Sequence, residues 1–487
     1  MSAFNSAKLP PSGSERNSER GSERGSERNS ERGSERNSER GSERDTGGNG
    51  SNGSHGGNGG NGSNGSHGGN GGNGSNGGTP SLNTVLDRRD FIGRIEELLS
   101  EIGMTSMVLS VENRGDVDRR SQGDIRCLLD KKIYNFKDVI KKLGVTLDYK
   151  KSGSSGHAFK GTMCVPLPLP DGQTSGNDRA NSQMGEIAIK VVAYPRNEKY
   201  GSPHDASRPE NAELLILHHL SYLVMNNHTP HIILPICTFY SKIRPFISLH
   251  EQKIVEDNKR YAAFVERYNK KEYYDNVSVL ISEWANKGDL LDYIRKNYKA
   301  MSETDWRVLI FQIVSTLASI HIRFPGFRHN DFKANNILLN TVGKKVKAFK
   351  YNINGDQYEV PNIGIQIKLW DFDFACIPGL VDNAKVNAEW TDLINVCPEQ
   401  NRYYDIHYFF NTLRSNGFFP ELLQAPEIPD SLKEFIYRVV PKRLAEGKEA
   451  TRNGRLLKKI EHVLPEALIR SDPYFAPFRG TSRSVNR

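Results

Sequence analysis

The chain has 487 residues, a formal net charge of +8 and a hydrophobic fraction of 36%. Residues 1–80 hold Lys8 and eight Arg against eight Glu and Asp45, so the whole positive excess falls on the rest of the chain. Spread that thinly it reads as a solvated basic face, not a specific nucleic-acid groove. No run approaches the roughly 18 apolar residues of a membrane span. Five scattered cysteines (Cys127, Cys164, Cys237, Cys376, Cys397) form no C-x-x-C pair and argue against a disulfide framework or a zinc ribbon. The opening MSAFNSAKLPPSGSER lacks the apolar stretch of a signal peptide, and an intracellular, cytoplasmic protein is expected.

Residues 14–44 repeat Ser-Glu-Arg eight times, and residues 47–78 carry a Gly/Asn/Ser array in which His55 and His67 recur. Neither array has an apolar face, so nothing offsets an ordering cost of about 1–2 kcal/mol per residue. Residues 1–80 are expected to be a disordered low-complexity tail, with the folded domain in 81–487. Apolar residues then recur at helical spacing in DRRDFIGRIEELLSEIGM and in KDVIKKLGV, the latter leading into a turn at KKSGSSG. AFKGTMCVPL and GEIAIKVVAY read as the first two strands, and PENAELLILHHLSYLV as a helix opened by its proline. Strands around HIILPICTFY and VSVLISEW flank a charged insert, EQKIVEDNKRYAAFVERYNKKEYYD, expected to be helical. Helical sequence follows, with short strands at NILLN and IQIKLWDF and a hairpin at NGD between them. Strands first and helices later predict an α+β chain.

The segment RHNDFKANNILLN places His329, Asp331, Lys333 and Asn336 on a loop running from a helix into a strand. Phosphoryl transfer needs such a set: a carboxylate for the incoming hydroxyl's proton, a cation against the moving phosphate, and an amide oxygen for a metal. Asp331, Lys333 and Asn336 can fill those roles in turn. IKLWDFDFA delivers Asp371 to a turn at the end of a strand, where with Asn336 it offers two oxygen ligands to Mg²⁺. Lys190 lies between apolar neighbours, and burying an ammonium costs several kcal/mol unless an acid meets it. Glu213 is the expected partner and Glu210, one turn earlier, the alternative. Gly153 and Gly156, ahead of the first expected strand, would let backbone N–H groups approach phosphates.

Glycine turn, strand lysine, helix glutamate, apolar strand, H-x-D-x-K-x-x-N and D-F-x, in that order, resemble the eukaryotic-type protein kinase family over roughly residues 135 to 420. The resemblance implies a two-lobed fold, with an antiparallel-sheet N-lobe (about 81–284) and an abbreviated helical C-lobe (about 285–487). It implies ATP with Mg²⁺ or Mn²⁺, and protein substrates phosphorylated on serine or threonine. By the same resemblance Gly153, Gly156 and Ala158 line the phosphate loop, and Lys190, paired with Glu213, contacts the α- and β-phosphates. Ser282 would be the gatekeeper, Glu283, Trp284 and Ala285 the adenine hinge, and Asp289 the ribose-contacting acid. Asp331 looks like the catalytic base, Lys333 the γ-phosphate lysine, and Asn336 and Asp371 the metal ligands. HNDFK in so compact a pattern is similar to the kinases of large DNA viruses, including the poxvirus type, which would place the chain in host cytoplasm or a virion.

The departures from the family carry expectations of their own. Asn330 stands where the family has the arginine that clamps a phosphorylated activation loop, which implies activity without that phosphorylation and little effect of Asn330→Arg. Asp373 replaces the glycine of D-F-G and would be a third carboxylate near the metal. VCPEQ, with Glu399, is the nearest match to A-P-E and lies shortly before Asp405, which resembles the acid opening the next large helix. A small-molecule kinase of the choline or aminoglycoside phosphotransferase type shares H-N-D and D-F-D, but Lys333 and the phrase KGDLLDYI argue against it. A silent pseudokinase is opposed by the presence of Lys190, Asp331 and Asp371. Lys344, Lys345, Lys347 and Lys350 make the NGD hairpin basic, either as solvated decoration or as a dock for acidic substrate proteins.

Overall fold

The computed structural model describes residues 84–104, 106–108, 126–153, 156–166, 182–196, 200–251, 255, 258–343, 345–386 and 388–480. The repeat arrays of residues 1–80 and Lys344 lie outside the described residues. Helix α1, Val85–Ser100, starts at a capping box in which Thr84 accepts from the Asp87 N–H and Asp87 accepts from the Thr84 N–H. Its buried residues Arg88, Phe91, Ile92, Ile95 and Leu99 recur at helical spacing along one face. Helix α2, Phe136–Lys142, follows.

A five-stranded antiparallel sheet comes next: β1 Thr146–Ser152, β2 Gly156–Pro166, β3 Ser182–Pro195, β4 Pro235–Lys242 and β5 Tyr273–Glu283, in the order β1-β2-β3-β5-β4. Strand β1 corrects the sequence reading, which had a turn in KKSGSSG with no strand before it. As an edge strand pairing only with β2, TLDYKKS is exposed at most positions and tolerates charges that hide its alternation. Strand β3 alternates cleanly: Ile187, Ile189, Val191 and Ala193 are fully buried, while Glu186, Ala188, Lys190 and Val192 occupy the half-buried face.

Helix α3, Pro209–Met225, lies between β3 and β4 in the chain and opens on its proline. The charged insert forms helix α4, Lys259–Asn269, which turns Tyr261 and Phe264 inward against His157 of β2. The helical part continues with α5 Leu290–Asn297 and α6 Glu303–Arg323, the latter buried along most of its length. Strands β6 Ile337–Thr341 and β9 Ile365–Leu369 pair antiparallel. Between them β7 Ala348–Ile353 and β8 Asp356–Pro361 form the expected hairpin, turned by Asn354 and Gly355 at φ of 52° and 91°. One hairpin face is core: Tyr351 and Tyr358 pack on Phe311 of α6. On the outer face Lys350 stands opposite Glu359. Helices α7 Tyr404–Leu413, α8 Asp430–Val439 and α9 Pro465–Ser471 complete the chain, with a small hairpin, β10 Thr451–Arg452 and β11 Arg455–Leu456, between α8 and α9. Among the described residues no helix is long and apolar enough to cross a membrane.

Candidate active site

Lys190 leaves the half-buried face of β3 and meets α3, where its ammonium donates to both oxygens of Glu213 at 2.6 and 2.7 Å. Glu210 instead accepts from Arg208. A second carboxylate, Asp371, lies 3.8 Å from the same ammonium, and the Trp370 ring lies 5.4 Å from it. Burial alone would lower the Lys190 pKa, but Glu213 and then Asp371 outweigh it and hold the lysine charged above its ordinary value. Ala158 sits directly across from Lys190 on β2. The two glycines close the β1–β2 turn, with the Gly153 N–H donating to the Gly156 carbonyl at 2.8 Å. Gly156 has no room for a side chain, since a Cβ there would come within 1.8 Å of the Val191 carbonyl oxygen. Ser154 and Ser155, at the tip, lie outside the described residues.

The loop bearing Asp331 hangs from α7. Both oxygens of buried Asp405 accept backbone bonds, from the His329 N–H at 2.7 Å and the Asn330 N–H at 2.9 Å. The same loop is tied to the segment carrying Asp371, through His329 Nε2 at 3.2 Å from the Trp370 carbonyl and the Asn330 amide donating to the Phe374 carbonyl at 3.0 Å. Asn330 and Asp371 both adopt left-handed backbone, at φ of 62° and 66°. Asn330 is therefore more than a missing arginine. It is fully buried in a conformation asparagine tolerates and bonds across to Phe374, so the structure gives Asn330→Arg a cost that the sequence reading did not expect.

The Asp331 carboxylate is shared among four donors. Oδ2 accepts from the Asn336 amide at 2.8 Å and lies 3.3 Å from the Lys333 ammonium. Oδ1 accepts from Arg455 Nη2 at 2.8 Å and, more weakly, from the Tyr408 hydroxyl at 3.4 Å. Burial alone would raise this carboxyl; Lys333 and Arg455, backed by His329, outweigh it and hold Asp331 well below the ordinary aspartate range. Asn336 Nδ2 also donates to the Asp331 carbonyl at 2.9 Å, which commits its amide nitrogen and leaves Oδ1 for another ligand. Among the described residues no group of three or more His, Cys, Asp or Glu side chains could hold a metal by itself. A divalent ion here would rest on Asn336 Oδ1, the partly exposed Asp371 carboxylate and ligand oxygens, a donor set that suits Mg²⁺. Asp373 is ion-paired with Lys385, so its charge is matched within its own segment.

The expected hinge has an unforeseen backing. The Glu283 carboxylate points into the core, where Arg88 of α1 meets it through two nitrogens at 2.7 and 2.6 Å and also donates to the Pro230 and Ile232 carbonyls. Trp284 and Ala285 follow the last ladder position of β5, where Glu283 stands opposite Ile187, and Ser282 is buried beside them. Asp289 caps α5, accepting from the Asp292 N–H. Glu399 pairs with Lys459 at the surface, while its carbonyl accepts from buried Arg328. Arg88 and Arg455 were both absent from the sequence-based set. Arg88 was within reach, because it falls in helical register with Phe91, Ile92 and Ile95. For Arg455 only the hairpin was legible, in the Asn453-Gly454 turn.

Comparison with known proteins agrees with this geometry. A family model described as poxvirus serine/threonine protein kinase matches residues 253–464. A protein of Acanthamoeba polyphaga mimivirus named "Putative serine/threonine-protein kinase" is 44% identical over 359 residues, covering 72% of this chain and 73% of the relative. This chain belongs to the poxvirus-type serine/threonine protein kinase family. Serine/threonine-protein kinase 2 of vaccinia virus is 34% identical over 110 residues, 23% of this chain and 24% of the relative. Its counterpart in variola virus is 33% identical over 114 residues, 23% of each chain. The kinase-family assignment takes the chain away from the choline and aminoglycoside phosphotransferases that share its H-N-D.

Proposed function

We propose that this kinase transfers the γ-phosphoryl group of ATP to serine or threonine hydroxyls of proteins, in a two-lobed arrangement with the nucleotide between the sheet and the Asp331 loop. The observation that carries the reading is the convergence on Asp371. Its carboxylate lies 3.8 Å from the Lys190 ammonium, while the peptide before it is bonded to His329 of the Asp331 loop. In this reading Lys190, oriented by Glu213, holds the α- and β-phosphates. The hinge backbone of Glu283, Trp284 and Ala285 takes the adenine, with the Glu283 side chain fixing the strand behind it. Asn336 and Asp371 hold a divalent cation, which supplies positive charge against the phosphate oxygens. Asp331 orients the acceptor hydroxyl and takes its proton, and Lys333 stands against the charge of the transferred group. Catalysis is then mainly positioning and charge neutralisation.

The test is the full chain incubated with ATP, Mg²⁺ and a mixed protein substrate, beside Asp331→Asn. Transfer to protein serine or threonine that the substitution abolishes supports the reading. Transfer to choline or an aminoglycoside in its place, or nucleotide binding without turnover, overturns it.

A further inference from the structure

The segment from Asp371 to Gln400 contains a single side-chain hydroxyl, that of Thr391, and no serine or tyrosine. Thr391 is fully buried, with its hydroxyl donating to the Val386 and Ala388 carbonyls. A phosphoryl switch on this segment therefore has no accessible acceptor, and the position that would read it holds buried Asn330. The base must be held to the segment by fixed contacts, and beside the Asn330–Phe374 bond one small hairpin reaches both, through the Arg455 side chain to Asp331 and through the Leu456 carbonyl to Asn395.

Arg455 opens β11 with about 5% of its surface exposed. Its guanidinium forks: Nη2 donates to Asp331 Oδ1 at 2.8 Å, and Nη1 donates to the Asn330 carbonyl one residue earlier. The Tyr408 ring lies beneath it, 4.3 Å from ring centre to guanidinium carbon. The hairpin carrying it is pinned from two sides. Asn411 of α7 donates to the Gly454 carbonyl at 3.1 Å, and Asn395, inside the segment after Asp371, donates to the Leu456 carbonyl at 2.8 Å. The carbonyl of Asn395 in turn accepts from Arg328, the residue before His329, at 2.6 Å. The contacts close a ring from Asp331 through Arg455, Leu456, Asn395 and Arg328 back to the loop of Asp331.

We propose that Arg455 is a positioning residue for Asp331, and that through its hairpin it couples the base to the segment after Asp371 permanently, in place of a phosphate-dependent clamp. The inference rests on the role given to Asp331 above. A phosphate added to such a segment supplies acceptor oxygens for an arginine that must already be there. Here the arginine is spent directly on the base, and the segment is held by amides and carbonyls that no phosphatase can remove.

The experiment compares turnover and Mg²⁺-ATP binding in the full chain for wild type, Asp331→Asn, Arg455→Lys and the double variant. Lysine keeps the charge but cannot reach both acceptors with a rigid fork. Displacement of the base by about 1 Å is enough to cost on the order of 100-fold. Arg455→Lys is therefore expected to lose roughly 10- to 100-fold in kcat, with KM and Kd for ATP within about twofold of wild type. Added to Asp331→Asn it should cost nothing further, because the two residues act as one unit. Wild-type kcat in Arg455→Lys overturns the proposal, as does an effect confined to KM or a loss of ATP binding in parallel with turnover, which marks a merely structural residue. If Asp331→Asn itself keeps wild-type turnover, the base assignment has failed instead, and the two failures are told apart.

Discussion

Lys190 and Asp331 are both charges withdrawn from water, and the chain secures them differently. Lys190 receives its carboxylate from Glu213, 23 residues away on the helix that follows its strand. Asp331 has one cation two residues away in Lys333 and another 124 residues away in Arg455. The first arrangement joins consecutive elements and leaves Lys190 a quarter exposed, facing Asp371 and the place assigned to the phosphates. The second draws on distant elements and closes around its carboxylate almost completely. One group is held so that it can reach a ligand, the other so that it cannot move. On the proposed reading, a partly exposed ammonium can still meet a phosphate, whereas a displaced base would lose its line to the acceptor hydroxyl.

Substitutions at the two centres should therefore fail in different ways. On the role proposed for Asp331, Asp331→Asn keeps the shape and removes the proton acceptor, and general-base catalysis is worth about 10²- to 10⁴-fold, so kcat should fall by that order with ATP affinity little changed. Lys190→Met leaves buried Glu213 without its partner and, on the proposed reading, the phosphates without their cation. Its loss should appear in KM for ATP as well as in kcat. If steady-state kinetics give both variants the same pattern, the contrast between a reaching and a fixed group is wrong.

The Arg88–Glu283 pair extends the comparison to stability. Both side chains are at least 95% buried, and Arg88 outweighs the effect of burial to hold the Glu283 carboxyl below its ordinary range. Removing one partner of such a pair strands the other in low dielectric, at about 3–5 kcal/mol. Arg88→Met should lower the midpoint of thermal or urea unfolding by a matching amount, and Arg88→Met with Glu283→Gln should recover part of it. An unchanged midpoint in the single variant would mean that α1 is not part of the folding unit. Asn330→Arg should also destabilise, more mildly, through loss of the bond to the Phe374 carbonyl and the left-handed backbone that asparagine tolerates. A variant as stable and active as wild type would return Asn330 to a neutral role.

What could be read from the sequence follows the same division. Lys190 with Glu213, and Asp331 with Lys333 and Asn336, lie on single elements or on consecutive ones, where periodicity and spacing carry the information. The hairpin between β6 and β9 was visible in Asn354-Gly355, and the helix in the charged insert in its apolar spacing. Strand β1 escaped because an edge strand needs few apolar residues. Arg455 escaped because a cation's partner across the fold leaves no local trace, and Lys385 because the irregular segment that joins it to Asp373 has no periodicity to pair them. Their targets were in plain view as motif residues, but which side chain neutralises a buried carboxylate depends on tertiary packing. In the basic hairpin the lysines drew attention in the sequence, while its aromatic inner face is what packs it on α6.

The smallest effect concerns buried side chains outside the proposed set of catalytic groups. Burial pushes the imidazoles of His157, His219, His321 and His407 down to about 4. In the unfolded chain they titrate near 6.5, so between these values the unfolded state binds more protons and stability falls as pH drops from about 6.5 toward 4. Lys131, pushed down to about 7 by burial, acts over a higher window: its contribution improves as pH rises from about 7 toward the ordinary lysine value. His157 is the informative case, because its Nδ1 bonds the Ser152 hydroxyl at 2.8 Å and its ring packs on Phe264 of α4. His157→Gln should weaken the protein slightly at pH 7.5 and make the loss between pH 6.5 and pH 4.5 shallower, read from urea midpoints at several pH values. An equally steep acid limb in the variant would show that His157 takes up its proton without unfolding. The fall would then belong to the other buried histidines, and the α4 insert would tolerate a charge against its aromatic face.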